Sequence, residues 1–252
     1  MKKALRISIE KLSKEPYASV ICYPKPTETE LGKRLKELQK LGIKAIEFRG
    51  EKEAFNLPIL GKGCVGIVVI AYRNNEKVAL KMRRVDADRS GMQHEAKMLR
   101  KANSIDVGPK LLGVSSDFLL MEFISGSLLP DWLKKRRGKS LMKNVLREVL
   151  EQCWLLDKAG LDHGELSQAS KHVIIDENNT PIIVDFETAS VNRKPSNVTS
   201  ICQFLFISGL VAKKTAKTLI IKDVNAIIEV LRRYKNDKTR ENFESILKVC
   251  GI

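Results

Sequence analysis

Three glycines, followed by a lysine, have the types and spacing that suit binding of nucleotide phosphates. They are Gly61, Gly63, Gly66 and Lys81. Glycine lets backbone N–H groups approach phosphate oxygens that a Cβ atom would keep away. The segment therefore predicts a nucleotide-phosphate clamp, in which Val68 and neighbouring strand residues such as Ala79 cover the base.

Dinucleotide-binding folds use three glycines at the same spacing, but there a helix follows them. Here the glycines precede an apolar run at 67–72, the turn Asn74-Asn75 and a second run at 77–81. This order predicts strand, turn and strand. It favours an antiparallel hairpin over a dinucleotide-binding fold.

Glu95 follows Lys81 by fourteen residues and lies on the apolar face of a predicted helix. The helical spacing is carried by Met92, Ala96, Leu99 and Ala102. A carboxylate on such a face is costly to bury without a cation, so we expect an ion pair with Lys81. The alternative is a solvated surface glutamate.

Two acidic residues flank a pair of short apolar strands predicted in the second half of the chain, at 173–175 and 182–184. Glu165, in the sequence His-Gly-Glu-Leu-Ser, precedes the first strand, and Asp185, in Asp-Phe-Glu, follows the second. Carboxylate oxygens are hard donors that suit Mg²⁺, so Asp185 is the predicted metal ligand.

Taken together, residues 57–206 resemble a small atypical protein kinase, nearest to the RIO-type kinases and to the small kinase of the tRNA-modifying KEOPS complex. The resemblance implies an archaeal source and an α+β, two-lobed kinase-like fold, with an antiparallel-sheet N-lobe and a mainly helical small C-lobe. The implied domains are an N-terminal α/β extension at 1–54, an N-lobe at 55–124 and a C-lobe at 125–252. ATP and Mg²⁺ are the implied cofactors.

The resemblance also assigns roles to single residues. Lys81, held by Glu95, would contact the α and β phosphates, and backbone groups from Glu122 to Ile124 would meet the adenine edge. The catalytic residues would be Lys81, Asp185 and Glu165, the last of which would orient the acceptor hydroxyl.

The chain departs from the kinase pattern at two functional positions. Glu165 replaces an aspartate, and the metal-binding asparagine expected five residues later is missing. Ser170, Lys171 and His172 stand near that place, after an insertion of one or two residues, and the sequence leaves open which of them faces the metal.

The histidines are scattered, and we expect no metal cluster from them. His163 is expected to pack and hydrogen-bond within its loop, and His94 to lie on a helix surface. The five cysteines contain no Cys-x-x-Cys pair, which argues against zinc and disulfides and favours a reducing, cytoplasmic setting. Neither a signal peptide nor a membrane-spanning run is expected.

Other elements are predicted from apolar periodicity. We expect strands at 19–22, 45–48 and 118–124, and helices at 28–41, 141–158, 198–207, 224–234 and 241–249. Ser125-Gly126-Ser127 predicts a break that forms a hinge. The first fifty residues would form either a winged-helix-like addition or an extension packed on the N-lobe.

The formal charge is +15, from 45 basic and 30 acidic residues, and it is concentrated at Lys134-Lys135-Arg136-Arg137 and Lys139. Such a surface favours polyanions, here RNA or a ribonucleoprotein, although a solvated basic face is the alternative. The leading function is serine or threonine phosphorylation, of the protein itself or of a protein partner. The alternatives are a nucleotide-binding pseudokinase or scaffold on RNA, ribosomes or tRNA-modification machinery, and a small-molecule kinase. The oligomeric state is left open.

Overall fold

The computed structural model describes residues 4–88, 91–135, 138–220 and 223–252. The chain divides into two compact units. The N-terminal unit comprises Met1–Lys97 and Lys110–Phe123, and the C-terminal unit comprises Met98–Pro109 and Ile124–Ile252. An antiparallel sheet dominates the first unit and helices dominate the second, which confirms the predicted α+β class.

The main sheet of the N-terminal unit has the strand order β1-β2-β6-β7-β9-β8, and β5 pairs with β6. All of its pairings are antiparallel. The strands are β1 Leu5–Ser8, β2 Ile43–Phe48, β5 Gly61–Lys62, β6 Gly66–Arg73, β7 Glu76–Arg83, β8 Leu111–Val114 and β9 Phe118–Glu122, beside a separate hairpin of β3 Lys52–Ala54 and β4 Leu57–Ile59. The predicted hairpin after the glycines is therefore present as β6 and β7.

Alternation along β6 and β7 sorts their side chains onto two faces of the sheet. Ile67, Val69 and Leu80 belong to the hydrophobic core of this unit. Val68 pairs with Lys81 across the strands, and both lie on the opposite face. The sheet thus separates a packing face from the face that carries the predicted nucleotide-binding side chains.

Three helices begin in this unit: α1 Tyr17–Ile21, α2 Glu28–Lys40 and α3 Gln93–Asn103. The predicted helix at 28–41 is confirmed, and the Thr27 hydroxyl caps it by accepting from the Glu30 N–H at 3.3 Å. The strand predicted at 45–48 is also confirmed. The strand predicted at 19–22 is wrong, because this short apolar run forms α1 with every residue from 18 to 21 buried, and periodicity does not resolve such runs.

The small sheet of the C-terminal unit has the antiparallel order β10-β11-β12, formed by Gly126–Leu128, Val173–Asp176 and Pro181–Ile183. Its helices are α4 Leu129–Lys134, α5 Lys139–Lys158, α6 Asn197–Cys202, α7 Gly209–Leu219, α8 Val224–Asn236 and α9 Arg240–Cys250, with a π-helical turn at Gln203–Ile207. The helices predicted at 141–158, 198–207, 224–234 and 241–249 are all confirmed within a few residues.

The chain does break after β9, which ends at Glu122 just before the boundary between Phe123 and Ile124, but two elements of this unit are missing from the sequence prediction. The predicted break at 125–127 contains β10, where Gly126 lets the strand approach closely, since a Cβ atom there would lie 2.2 Å from the Ile175 carbonyl oxygen. Helix α7 is missing from the sequence prediction. Its buried positions are Ala212, Thr215 and Leu219, so its apolar stripe is too weak to stand out.

A buried charge network connects the elements of the N-terminal unit. Arg34 of α2 is fully buried and donates to the carbonyl oxygens of Ile21 at 2.8 Å and Arg83 at 2.7 Å. Asp117 is also fully buried and accepts from Arg83 at 2.7 Å. It also accepts from Lys33 at 2.7 Å and lies 3.3 Å from the Arg34 guanidinium. Burial alone would raise the pKa of Asp117, but these three cations outweigh it and hold that pKa below its usual range.

We predict that Asp117→Asn lowers the free energy of unfolding near neutral pH by about 3–5 kcal/mol, because it leaves buried cations without their counter-ion. A lowered native pKa stabilises the fold above the usual aspartate pKa of 3.8, and this contribution disappears as the pH falls through the native value. Urea unfolding from about pH 7 to about pH 3 should therefore show a difference between wild type and variant that shrinks on the acidic side. A difference that stays constant over this range would contradict the assignment.

Candidate nucleotide and metal site

The glycine-rich segment forms β5 and the turn into β6. The Gly63 N–H donates to the Gly66 carbonyl oxygen at 2.8 Å and closes the turn, while Gly61 pairs with Val68. A Cβ atom at Gly66 would lie 2.9 Å from the Met82 carbonyl oxygen, whereas at Gly63 its nearest neighbour would be 3.7 Å away. Packing therefore requires glycine at position 66 and leaves room at position 63.

Arg84, which no sequence motif singled out, supports this turn from the end of β7. Its backbone N–H donates to the Val65 carbonyl oxygen at 2.7 Å, and its guanidinium group donates to the Gly63 carbonyl oxygen at 3.4 Å. Asp86 holds the guanidinium through two contacts of 2.8 and 2.7 Å. The guanidinium carbon also lies 5.0 Å from the Tyr23 ring centroid, so the N-terminal segment helps to position the glycine turn.

Lys81 lies beside the glycine turn on the same sheet face as Val68, its cross-strand partner, and Ala79. Its ammonium nitrogen is 2.9 and 2.8 Å from the two carboxylate oxygens of Glu95 on α3. Lys81 is 5% exposed and Glu95 4%. The expected ion pair is thus present and buried.

Of the two residues predicted to meet the adenine edge, one ends β9 and the other follows that strand. Glu122 ends this strand, opposite Val78, and its N–H donates to the Lys110 carbonyl oxygen at 2.9 Å. Its carboxylate accepts from the Lys110 N–H at 3.2 Å. Ile124 begins the second of the two segments that make up the C-terminal unit, Ile124–Ile252. Their contact with a base stays a prediction.

In the C-terminal unit, His163 packs within its loop as expected. The ring is fully buried, contacts Phe186 with 5.1 Å between centroids, and places Nε2 3.0 Å from the Val184 carbonyl oxygen. Burial lowers the pKa of His163 to about 4, so the ring is neutral near pH 7. His94, by contrast, is exposed on α3, as predicted.

Glu165 and Asp185 lie on either side of a third residue, His172. Its Nε2 is 2.7 Å from a Glu165 oxygen, and its Nδ1 is 3.8 Å from an Asp185 oxygen. One ligand atom from each of the three residues falls within 4.8 Å of the other two. This set of donors could hold a divalent cation, and it includes His172, one of the three residues that the sequence left open for the metal.

The local backbone explains why His172 occupies this place. Residues Leu166–Lys171 form a 3₁₀ turn interrupted by non-helical backbone at Gln168, with φ −123° and ψ 44°. Ser170 and Lys171 are exposed on this turn, whereas the His172 side chain is 1% exposed. The interruption changes the direction of the backbone shortly before His172, whose imidazole lies beside the carboxylates.

Asp185 follows β12 with a φ of +72°, in the left-handed region. Such a conformation in a non-glycine residue costs on the order of 1–3 kcal/mol and often marks a functional position. Asp185 and Glu165 are about one-third exposed, at 33% and 37% of their side chains. Both carboxylates are therefore open to an incoming ligand.

A family model for the RIO domain matches residues 69–201, which is more than half of the chain. The chain belongs to the RIO domain family, a group of atypical, kinase-like proteins that typically bind ATP with a metal ion. The match contains Lys81, Glu95, Glu165 and Asp185, and it begins after the glycine turn. A search of curated proteins gave no match.

We predict that Lys81→Met and Glu95→Met each lower the free energy of unfolding by about 3–5 kcal/mol, because each leaves a buried charge without its partner. The double variant should regain most of this loss, since two methionines of similar volume replace the pair. Urea unfolding of all four proteins tests the cycle.

A suitable control is Lys134→Met, which removes an exposed pair with Asp131 whose side chains are 74% and 49% exposed. It should change stability by no more than about 1 kcal/mol. Losses that simply add in the double variant would show that Lys81 and Glu95 act independently.

Proposed function

We propose that this protein is an ATP-dependent serine/threonine phosphotransferase that acts on itself or on a protein partner. The buried Lys81–Glu95 pair, on the sheet face next to the glycine turn, carries the proposal. Burial of an ion pair contributes little net stability, so its position beside an open glycine turn argues for a role in phosphate binding. Membership of the RIO family supports the same reaction class.

In this reaction the acceptor hydroxyl oxygen forms a bond to the γ-phosphorus, the bond to the β–γ bridging oxygen breaks, and ADP leaves. Lys81 would neutralise phosphate charge, and Asp185 would hold the divalent cation that accompanies ATP. Glu165, whose carboxylate is partly exposed, orients the hydroxyl and accepts its proton.

A second candidate function is a nucleotide-binding pseudokinase. One observation favours it: a Glu165 oxygen already contacts His172 Nε2 at 2.7 Å, so this oxygen is engaged by a protein side chain and not by an acceptor hydroxyl. In that case ATP would act as a conformational ligand, and the protein would serve as a scaffold.

The charge of +15 supports an RNA or ribonucleoprotein partner for either function. Lys134, Lys135 and Lys139 of the basic run are exposed, while Arg136 and Arg137 lie outside the described residues. Among the described residues, each helix is too short or too polar to span a membrane.

The glycine turn allows folding and nucleotide binding to be tested separately. We predict that Gly63→Ala leaves the melting temperature unchanged but weakens binding of an ATP analogue at least about tenfold, because its Cβ atom makes only an ordinary 3.7 Å contact with the Gly66 carbonyl oxygen yet occupies space that phosphate would approach. Gly66→Ala should instead lower the melting temperature, since its Cβ atom would lie 2.9 Å from a backbone oxygen. Unchanged nucleotide affinity in Gly63→Ala would argue against a phosphate clamp.

Transfer of labelled γ-phosphate to the protein itself and to a generic basic protein tests the reaction. We predict that Asp185→Asn abolishes transfer and that Glu165→Gln reduces it by about 100-fold or more while sparing nucleotide binding. Asp131→Asn, a change of an exposed carboxylate in the same unit, should retain full transfer. ATP binding in the wild type without transfer above the Asp185→Asn background would favour the pseudokinase.

A further inference from the structure

The sequence left open whether Ser170, Lys171 or His172 takes the place of the metal-binding asparagine, and of these three His172 is the one with ring nitrogens facing both Glu165 and Asp185. Its side chain is 1% exposed, so the ring is held by its surroundings. The Nε2 atom lies 2.7 Å from Glu165 and the Nδ1 atom faces Asp185 at 3.8 Å. The two edges of the imidazole therefore make different contacts.

The contact with Glu165 has the length of a charge-assisted hydrogen bond, with Nε2–H donating to the carboxylate. This places the lone pair on Nδ1, towards Asp185. Proteins commonly orient metal-binding histidines in this way, with a carboxylate accepting from the nitrogen that does not bind the metal.

The separation of Nδ1 from Asp185 fits a metal ion between them. At 3.8 Å it is longer than a hydrogen bond. Two donor atoms that each lie about 2.1 Å from one ion are separated by about 3.0–4.2 Å, depending on the angle between them. The donors therefore need little movement to share an ion.

Backbone contacts fix these donors. The Val184 N–H donates to the His172 carbonyl oxygen at 2.9 Å, which joins the residue before Asp185 to His172. The Val184 carbonyl oxygen also contacts His163 Nε2 at 3.0 Å. These contacts hold together the two backbone segments that carry His172 and Asp185, which favours a preformed site.

We propose that His172 Nδ1 and an Asp185 oxygen bind one divalent cation, that Glu165 positions the imidazole, and that this nitrogen–oxygen pair selects Mn²⁺ or a related transition-metal ion over Mg²⁺. Mg²⁺ prefers oxygen ligands, whereas imidazole raises affinity for first-row transition metals. The inference rests on the proposed function only in assigning the ion to the nucleotide reaction.

Mn²⁺ is the probe, because its paramagnetism reports directly on coordinating nitrogen. Pulsed electron paramagnetic resonance of the full chain with Mn²⁺ should show ¹⁴N modulation from the coordinating imidazole. Competition titrations should give Mn²⁺ an affinity at least about tenfold above that of Mg²⁺. In His172→Asn, which restores an amide oxygen, the modulation should disappear and Mn²⁺ affinity should fall by about 10–100-fold with little change for Mg²⁺.

His94→Asn is the matched control, because it removes an exposed histidine of α3 and should leave both readouts unchanged. Wild-type Mn²⁺ spectra without ¹⁴N modulation would overturn the proposal, and this measurement needs no variant to fold. Unchanged Mn²⁺ affinity in a folded His172→Asn protein, checked by circular dichroism, would overturn it as well.

Binding of a fluorescent ATP analogue separates this inference from the proposed function. Intact nucleotide binding without nitrogen coordination would reject only the role of His172. Nitrogen coordination without nucleotide binding would leave the metal site standing and reject the phosphotransferase.

Discussion

The N-terminal unit depends on the burial of one guanidinium group. Arg34 is fully enclosed, and it donates to the backbone where α1 ends at Ile21 and where β7 ends at Arg83. A buried cation without partners would cost several kcal/mol, so these elements must keep the positions that satisfy it. Lys81 precedes this end of β7 by two residues, and Arg84 follows it to support the glycine turn. Helices α1 and α2 therefore help to position the predicted phosphate-binding groups.

A buried carboxylate has the corresponding role in the C-terminal unit. Asp157 of α5 accepts from the Asn197 N–H at 2.8 Å, from the Asn197 side-chain amide at 2.8 Å and from the Tyr234 hydroxyl at 3.0 Å. Burial raises the pKa of Asp157, and these hydrogen bonds partly offset that effect. Asn197 in turn accepts from the His163 N–H at 2.8 Å. The loop that leads to Glu165 is thus anchored through Asn197 to the helices behind it.

The sequence was most informative where a regular period linked chemistry to burial. Glu95 could be paired with Lys81 because helical spacing put a carboxylate on an apolar face. Periodicity failed for the short run of α1 and for α7, whose buried stripe includes Thr215. Periodicity also could not show which way the His172 side chain points. The backbone at Gln168 is non-helical, so the direction of the residues after it does not follow from their spacing along the chain. Arg84 had no signal, since its importance comes from backbone carbonyls that any sequence possesses.

The two departures from the kinase pattern meet in space, and this contact gives them a common explanation. His172 stands near the place of the missing asparagine, and its Nε2 atom, on the side away from Asp185, needs a partner. Glutamate has one methylene more than aspartate, which extends its reach towards Nε2, and its side chain remains 37% exposed while making that contact. A carboxylate has two oxygens, so one can hold the imidazole while the other faces an acceptor. Glu165 and His172 are therefore better understood together than as two separate losses, because one contact links the carboxylate to the imidazole that we propose as a metal ligand.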